Sequence, residues 1–286
     1  MSDIPTNDYI DHLTNVLNDE SLNGSIRKHV KFLRLAALMI QKSKFSRVIV
    51  KLYKEIKGSD NPRGLRIDEM AFALKRDWST MGRLIIRKTI DSQIFIIRFS
   101  QASDFATAIF SNPNRVHGKF LSMRLYNGDE NIHEIDFKGQ DVCIEFTLRS
   151  DLVVKGYVAR KVAEKVGYVL SLSGPLSKKG DYTTHVLVDF SKALVHQIKI
   201  ILLKGRDKET IKLIIFYICI PHSTCRDCWY VDHIGSKCED RIKEYRRHFP
   251  RIFINEDEEE TVTQPEKQDK NVEKLVEAAT TLRIYE

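Results

Sequence analysis

Cys225-Arg-Asp-Cys228-Trp-Tyr-Val-Asp-His233-Ile-Gly-Ser-Lys-Cys238 is the stretch from which the organisation of this chain is read. Its spacing, Cys-x2-Cys-x4-His-x4-Cys, lets one short loop wrap a tetrahedral Zn2+ with three thiolates and an imidazole, the closed ligand set of a structural site. Cys225, Cys228, His233 and Cys238 fill all four positions, which leaves none for a catalytic water. A loop of this length has no hydrophobic core, so metal binding supplies its folding free energy, on the order of 10 kcal/mol for zinc peptides at neutral pH. The rest of the chain must therefore carry cores of its own and present the loop.

Three of the five cysteines fall in this loop, while Cys143 and Cys219 stand alone in apolar runs and read as small buried hydrophobes. The alternatives are a chance cluster or thiols paired in a secreted protein, and the full four-ligand spacing favours metal. Between and beside the ligands lie Trp229, Tyr230, Arg226 and Lys237. An aromatic on a metal-held loop offers a stacking surface to an unpaired base and the cations meet phosphate; packing of Trp229 on a neighbouring domain is the other reading. Behind the loop, Arg241, Lys243, Arg246 and Arg247 are interleaved with Tyr245 and Phe249, a composition that suits phosphate plus stacking or a solvated helix end.

Upstream, residues 1–44 form an extension: a polar, loose stretch to residue 24, then a helix capped by Ser25. Ile26, Val30, Leu33, Ala37 and Ile40 make its apolar stripe, and Arg27, Lys28, Lys31, Arg34 and Lys42 its basic face. Such a face touches an anionic partner or simply solvates its charges while the stripe docks on a core.

Residues 45–127 alternate signals. Arg47 to Tyr53 reads as a strand, a turn follows at Gly58 to Gly64, and Ile67, Met70, Ala71, Leu74 and Trp78 share a helix face. Gly82 to Lys88 and Ser92 to Phe99 make a hairpin, Ser100 or Ser103 caps a helix that Pro113 stops, and His117 to Tyr126 closes the unit as a strand. Strand, helix, strand, strand, helix, strand predicts a ferredoxin-like, RNA-recognition-motif-like fold. The aromatic pattern of that motif fails, however. Its two stacking positions on the third strand are Ile94 and Ile96, the first strand offers Ile49, and alternation turns Phe95, Ile97 and Phe99 toward the core. The outer sheet face is thus aliphatic, with Arg98 at one end, and is expected to be covered.

A second α+β sheet unit spans residues 138–222. Gln140 to Leu148 is a strand, and Val154, Val158, Val162 and Val166 recur every four residues as a helix stripe. Gly167 to Leu172 and Thr183 to Phe190 are strands, and Ile198 to Lys204 pairs with a single long strand from Thr210 to Ile220. That strand leads into the knuckle at residues 223–240. Residues 241–286 are then a basic segment followed by an acidic, disordered tail beginning at Glu256, with a short partner-binding helix possible around Val272 to Leu282.

The chain has 286 residues, 42% hydrophobic, with 46 Lys+Arg against 39 Asp+Glu, a balance that favours a polyanionic partner. No apolar run reaches the eighteen or so residues of a membrane span, and the first residues lack the pattern of a secretory signal. The expectation is an intracellular protein, nuclear or cytoplasmic, with no membrane association. Phosphate-loop, Gly-x-Ser-x-Gly and His-Glu-x-x-His signatures are absent, and no catalytic residues are assigned.

Several stretches together resemble the plant domain of unknown function that precedes a CCHC zinc knuckle in Gag-like and LINE-type retrotransposon first-reading-frame proteins and in host proteins derived from them. They are Val50 to Lys54, the helix ending in Trp78, Phe95 to Phe99, Val158 to Gly167, Val186 to Ser191, and Ile220-Pro221 leading into the knuckle. The resemblance covers about residues 45 to 240. It implies nucleic-acid binding and possible self-association, with an RNA-recognition-like fold in the first half, and the leading expectation is a single-stranded RNA or DNA binder without catalytic activity. Asp232 stands where the family's knuckles usually have glycine, and Asn112 to Arg115 replaces a tryptophan-bearing turn. The alternative function is a protein-interaction adaptor in which zinc only braces a docking surface.

Overall fold

A computed structural model describes residues 6–42, 47–53, 65–91, 93–111, 115–116, 119–153, 157–176, 180–204, 207–218, 220–221, 223–231, 238–247 and 249–255. Two compact units are present: one runs to Gln140 and includes Pro221–Ser223, and the other comprises Asp141–Ile220 and the described residues from Thr224 to Asn255. Both are mixed α+β. Every recorded strand pairing is antiparallel except one in the second unit.

The first unit opens with α1 (Asn7–Asn18) in the segment expected to be loose. Thr6 caps it by accepting a hydrogen bond from the Tyr9 N–H, and Ile10, Leu13 and Val16, three apart, are buried. Helix α2 (Gly24–Gln41) buries the whole predicted stripe. Its cap is Asn23, whose side chain accepts from the Ser25 N–H at 2.9 Å, while the Ser25 hydroxyl donates to Asp136 at 2.8 Å. Part of the basic face works internally: Arg27 donates to the carbonyls of Leu17 and Asp19, both at 2.6 Å, and Arg34 donates to Thr14 at 2.7 Å. These cations clip α1 to α2 and are not free for an external anion.

The sheet follows as β1 (Arg47–Leu52), α3 (Ile67–Asp77), β2 (Leu84–Lys88), β3 (Ile94–Phe99), α4 (Ala102–Ala106) continued by a π turn, β4 (Arg115–Val116) and β5 (Lys119–Tyr126). The strands lie in the order β2-β3-β1-β5-β4. Met70, Ala73 and Leu74 are the buried face of α3, whereas Ile67, expected beside them, is 45% exposed. Neither serine caps α4; Gln101 precedes it without a side-chain bond, and Asp104 inside the helix accepts from the Met81 and Gly82 N–H groups. On the inner face Trp78 stacks on Phe99 and Phe99 meets Phe105 edge-on. The turn at residues 58–64 lies outside the described residues.

The outer face is covered. After β5 the chain makes a short 3-10 turn (Ile132–Glu134) and crosses back over the sheet as a strap: Phe137, Ile132 and Ile135 pack on Ile49, Ile94, Ile96 and Tyr126. The strap is tied by backbone. The Phe137 carbonyl accepts from Tyr53, Ser122 and Gln140, and Arg124 donates to the carbonyls of Asp136 and Gly139. A Cβ on Gly139 would collide with the Ser25 carbonyl, so the strap's end needs glycine.

Arg124 is buried, and its Nη1 lies 2.9 Å from Nδ1 of buried His29. Burial first, then the Arg124 charge, holds the His29 pKa well below its usual value. The histidine is therefore neutral and accepts from the guanidinium.

In the second unit, β6 (Gly139–Thr147), α5 (Ser150–Val153), α6 (Tyr157–Val166), β7 (Tyr168–Ser173) and β8 (Asp181–Asp189) precede β9 (Gln197–Lys204), β10 (Asp207–Ile214), β11 (Phe216–Tyr217), α7 (Cys238–Arg247) and β12 (Arg251–Asn255). One sheet has the order β11-β6-β8-β7, the other β10-β9-β12. Val158, Val162 and Val166 are buried on α6 with Ala159 and Ala163; Val154 lies outside the described residues. The strand expected to run unbroken from Thr210 to Ile220 is broken at Ile215. That residue is buried and its N–H donates to the His196 carbonyl at 2.8 Å, after which the chain leaves β9 and pairs with β6. A further difference is β12, which falls in the segment read as basic linker and tail. It pairs parallel with β9 and buries Ile252 and Ile254 while Phe253 stays 56% exposed. The acidic run from Glu256 lies outside the described residues. Among the described residues no helix is long and apolar enough to cross a membrane.

Ile94→Asp places a carboxylate under the strap and is expected to destabilise the first unit by several kcal/mol, measured by urea denaturation; an unchanged midpoint would mean the strap does not cover the sheet. A second expectation concerns pH. The folded His29 titrates below its unfolded value near 6.5, so its contribution is complete above about pH 6.5 and is lost as pH falls, by up to about 1.4 kcal/mol per pH unit. His29→Gln should flatten this acid limb in denaturation midpoints measured from pH 7 to 5.

Candidate metal centre

The turn that starts the cysteine loop is built by its own backbone. The Trp229 N–H donates to the Cys225 carbonyl at 2.8 Å and the Cys225 N–H to the Tyr230 carbonyl at 2.9 Å. These two bonds fold the Cys-x2-Cys segment so that both sulfurs face the same way. Cys238 comes from the first residue of α7. The three sulfurs lie within 4.8 Å of one another, with Cys225 and Cys238 3.6 Å apart, and this group could hold a metal ion. At 3.6 Å the sulfurs are far beyond a disulfide bond of about 2.05 Å. His233, the expected fourth ligand, lies outside the described residues, as do Asp232 and Lys237.

Electrostatics at the sulfurs suit a cation. Burial opposes ionisation of Cys225, but N–H groups of Cys228 and Asp227 directed at its sulfur outweigh that and hold its pKa below the usual thiol value. Desolvation, then the adjacent Cys225 and Cys228, pushes Cys238 up to about 12; burial likewise raises Cys228. Three thiols so close disfavour one another's ionisation, a conflict that a coordinated cation removes by deprotonating its ligands.

The loop is docked on the second unit through its aromatics. Trp229 lies flat on His196, ring centroids 3.9 Å apart and 10° between planes, with Tyr217 at 6.3 Å. Its carbonyl accepts from the Leu194 N–H at 2.9 Å. Trp229 has φ +59°, the left-handed region that costs a non-glycine residue on the order of 1 kcal/mol. The stack on His196 offsets that strain. Of the two readings of Trp229, the structure thus displays the packed one, with at least one ring face occupied by the unit that carries the loop. Tyr230 is half-buried, with the Arg241 guanidinium 4.8 Å from its ring centroid.

Helix α7 divides its residues in the same way. Tyr245 points inward: its hydroxyl accepts from the His196 N–H at 3.0 Å, its ring meets Phe249 edge-on, and burial pushes its pKa up to about 12. Lys243 and Arg246 are exposed, as is Arg226 on the cysteine turn; Arg247 ends the helix. The structure therefore brings the cysteines, Trp229, Tyr230 and Arg241 together, and leaves Arg226, Lys243 and Arg246 facing solvent. The sequence reading missed His196, Tyr217 and Leu194, which seat the loop. They lie eight or more residues before Cys225, Tyr217 on β11 and the other two in the segment just before β9, and no local spacing links them to the cysteines. Cys143 is buried in β6 as expected, whereas Cys219 lies outside the described residues.

No protein-family model matches the chain, and no curated protein matches it.

Trp229→Ala removes the stack but keeps the left-handed backbone, so metal affinity, read by competition with a chelator, is expected to fall. Trp229→Gly should recover part of the loss, since glycine adopts that backbone freely. Equal affinity in wild type and both variants would mean the stack does not support the centre.

Proposed function

We propose that the protein is a zinc-braced, single-stranded nucleic-acid-binding protein of retrotransposon Gag-like descent, without catalytic activity. The observation that carries this reading is the convergence of Cys225, Cys228 and Cys238. A tetrahedral Zn2+ bonded to sulfur at about 2.3 Å sets neighbouring sulfurs about 3.8 Å apart, and Cys225 and Cys238 are 3.6 Å apart. His233 would complete the set as in a CCHC knuckle. When bound, the zinc supplies folding free energy to the loop; the chain's own residues do the rest.

The first unit's strand order β5-β1-β3-β2, with helices after β1 and β3, supports reading it as a split βαβ, RNA-recognition-like fold. Together with the knuckle behind a second α+β unit, this order supports the Gag-like resemblance. The contact we assign to nucleic acid is chiefly ionic: Arg226 on the cysteine turn and Lys243 and Arg246 on α7 are exposed, and the Arg241 guanidinium lies over the Tyr230 ring. Trp229 acts by seating the loop, and base stacking passes to the open part of Tyr230.

A second reading has its own support. Trp229 and Tyr245 both face inward, as a brace requires, which is the arrangement of an adaptor whose knuckle only shapes a protein-docking surface. Binding of purified zinc-loaded protein to single-stranded RNA, single-stranded DNA and duplex at several salt concentrations separates the two. Exchanging Arg226, Arg241, Lys243 and Arg246 for glutamine is expected to reduce the slope of log affinity against log salt by about 3, at roughly 0.7 per phosphate contact. Salt-independent affinity that survives the exchange would favour the adaptor.

A further inference from the structure

The strap over the first sheet leaves one corner of the outer face open, and that corner is arginine-rich. Strand register places the residues. Arg47 of β1 lies directly opposite Arg98 of β3, and Arg98 directly opposite Ile85 of β2. Arg87 lies two residues beyond Ile85 and opposite Ile96. Residues opposite one another in an antiparallel pair share a face, about 5 Å apart at Cβ, and diagonal ones are about 7–8 Å apart. Arg47, Arg87 and Arg98 therefore form one cationic cluster across three strands. All three are exposed, as are Ile85 at their centre, 44% exposed, and Arg83 just before β2.

Two features separate this cluster from ordinary surface charge. Like charges directly opposite on neighbouring strands disfavour the sheet, and yet Arg47 and Arg98 face each other and, among the described residues, neither is paired with a carboxylate. Some other cations of this unit are paired: Arg66 binds Asp68 and Glu69, Arg76 binds Asp77, and Lys28 approaches Asp136. Second, the cluster borders the strap. Tyr126 is directly opposite Arg47, and Ile96 lies opposite Arg87; both belong to the group that the strap covers. Among the described residues the strap closes the central rows, and the arginine corner stays exposed on the β2–β3–β1 side.

We infer that Arg47, Arg87 and Arg98 form a second phosphate-binding surface, on the first unit, for the backbone of a single-stranded nucleic acid. Guanidinium groups at fixed sheet positions present paired donors that match phosphate oxygens, and an anion between Arg47 and Arg98 removes their mutual repulsion. Ile85 gives a small apolar contact for a sugar or base edge. An anionic membrane is a poorer occupant, because interfacial binding needs a broad apolar face alongside the cations and Ile85 is the single exposed apolar side chain within the cluster. The inference deepens the proposed nucleic-acid binding by giving the first unit its own contact, and its residues are distinct from those at the metal loop.

The test uses the full-length, zinc-loaded protein and a fluorescent single-stranded oligonucleotide, with three variants. Arg47, Arg87 and Arg98 exchanged together for glutamine should lower the salt slope by about 2, and affinity by about a hundredfold at 0.1 M salt, from roughly 0.7 per contact. The same three exchanged for lysine should keep most of the slope, which separates charge from folding. The quadruple exchange around the metal loop is the third. If the glutamine triple binds as wild type while the loop variant loses affinity, the sheet surface is refuted and the proposed function stands. If the triple loses affinity while the loop variant does not, the sheet surface is upheld and the loop contact fails. Phosphatidylserine vesicles form the control arm: a loss confined to vesicles, with oligonucleotide binding unchanged, overturns the inference.

Discussion

The ring of Trp229 lying flat on His196 is the contact on which the second half of this protein depends. The cysteine turn has no core, so its position relative to the sheets is set by whatever it rests on. His196 stands one residue before β9, its N–H is held by Tyr245 from α7, and its carbonyl accepts the N–H at which the β10 strand breaks off. One short segment therefore seats the metal loop, anchors α7 and turns the chain toward β11. Because Cys238 starts α7, a metal bound by the cysteines would tie the helix to the turn at one end while Tyr245 ties it to β9 at the other. The inward aromatics are explained by that role, and they shift the weight of any nucleic-acid contact onto exposed cations.

The first unit solves a different problem. A sheet whose outer face carries Ile49, Ile94 and Ile96 cannot leave that face in water without a large apolar patch. The strap covers it, and the strap in turn needs satisfaction for its buried carbonyls. Arg124 supplies this from the middle of the sheet, and burial lowers its own pKa to about 10. Tyr53, Ser122 and Gln140 converge on one further carbonyl. A covered central sheet with an open arginine corner differs from a stacking platform in what it exposes: guanidinium charge and not aromatic rings.

Much of this was legible in the sequence because the signals were local. Short β-branched and apolar runs such as Arg47 to Tyr53 and Ser92 to Phe99 mark the strands, the four-residue spacing of Val158, Val162 and Val166 marks α6, and the failure of aromatics at Ile94 and Ile96 points to a covered face. The cysteine spacing located the site. What escaped depended on distant partners or on weak local pattern. Helix α1 is a polar stretch with only Ile10, Leu13 and Val16 to mark it. The strand from Thr210 was read through Ile215 because the apolar run continues even as the chain changes sheets. β12 has just five residues, and its parallel partner β9 lies far upstream. The arginine corner is invisible in sequence because Arg47, Arg87 and Arg98 are brought together only by strand register.

The most direct test of the account is the metal content of the purified protein. Elemental analysis of freshly purified wild type, prepared without added metal or chelator, should find about one zinc ion per chain. Cys228→Ser should lose it while near-native circular dichroism shows the three sheets still folded. Wild-type protein with no zinc, and with chelator-treated and untreated samples identical in stability, would contradict the metal centre and with it the reading of the loop as a zinc-braced contact.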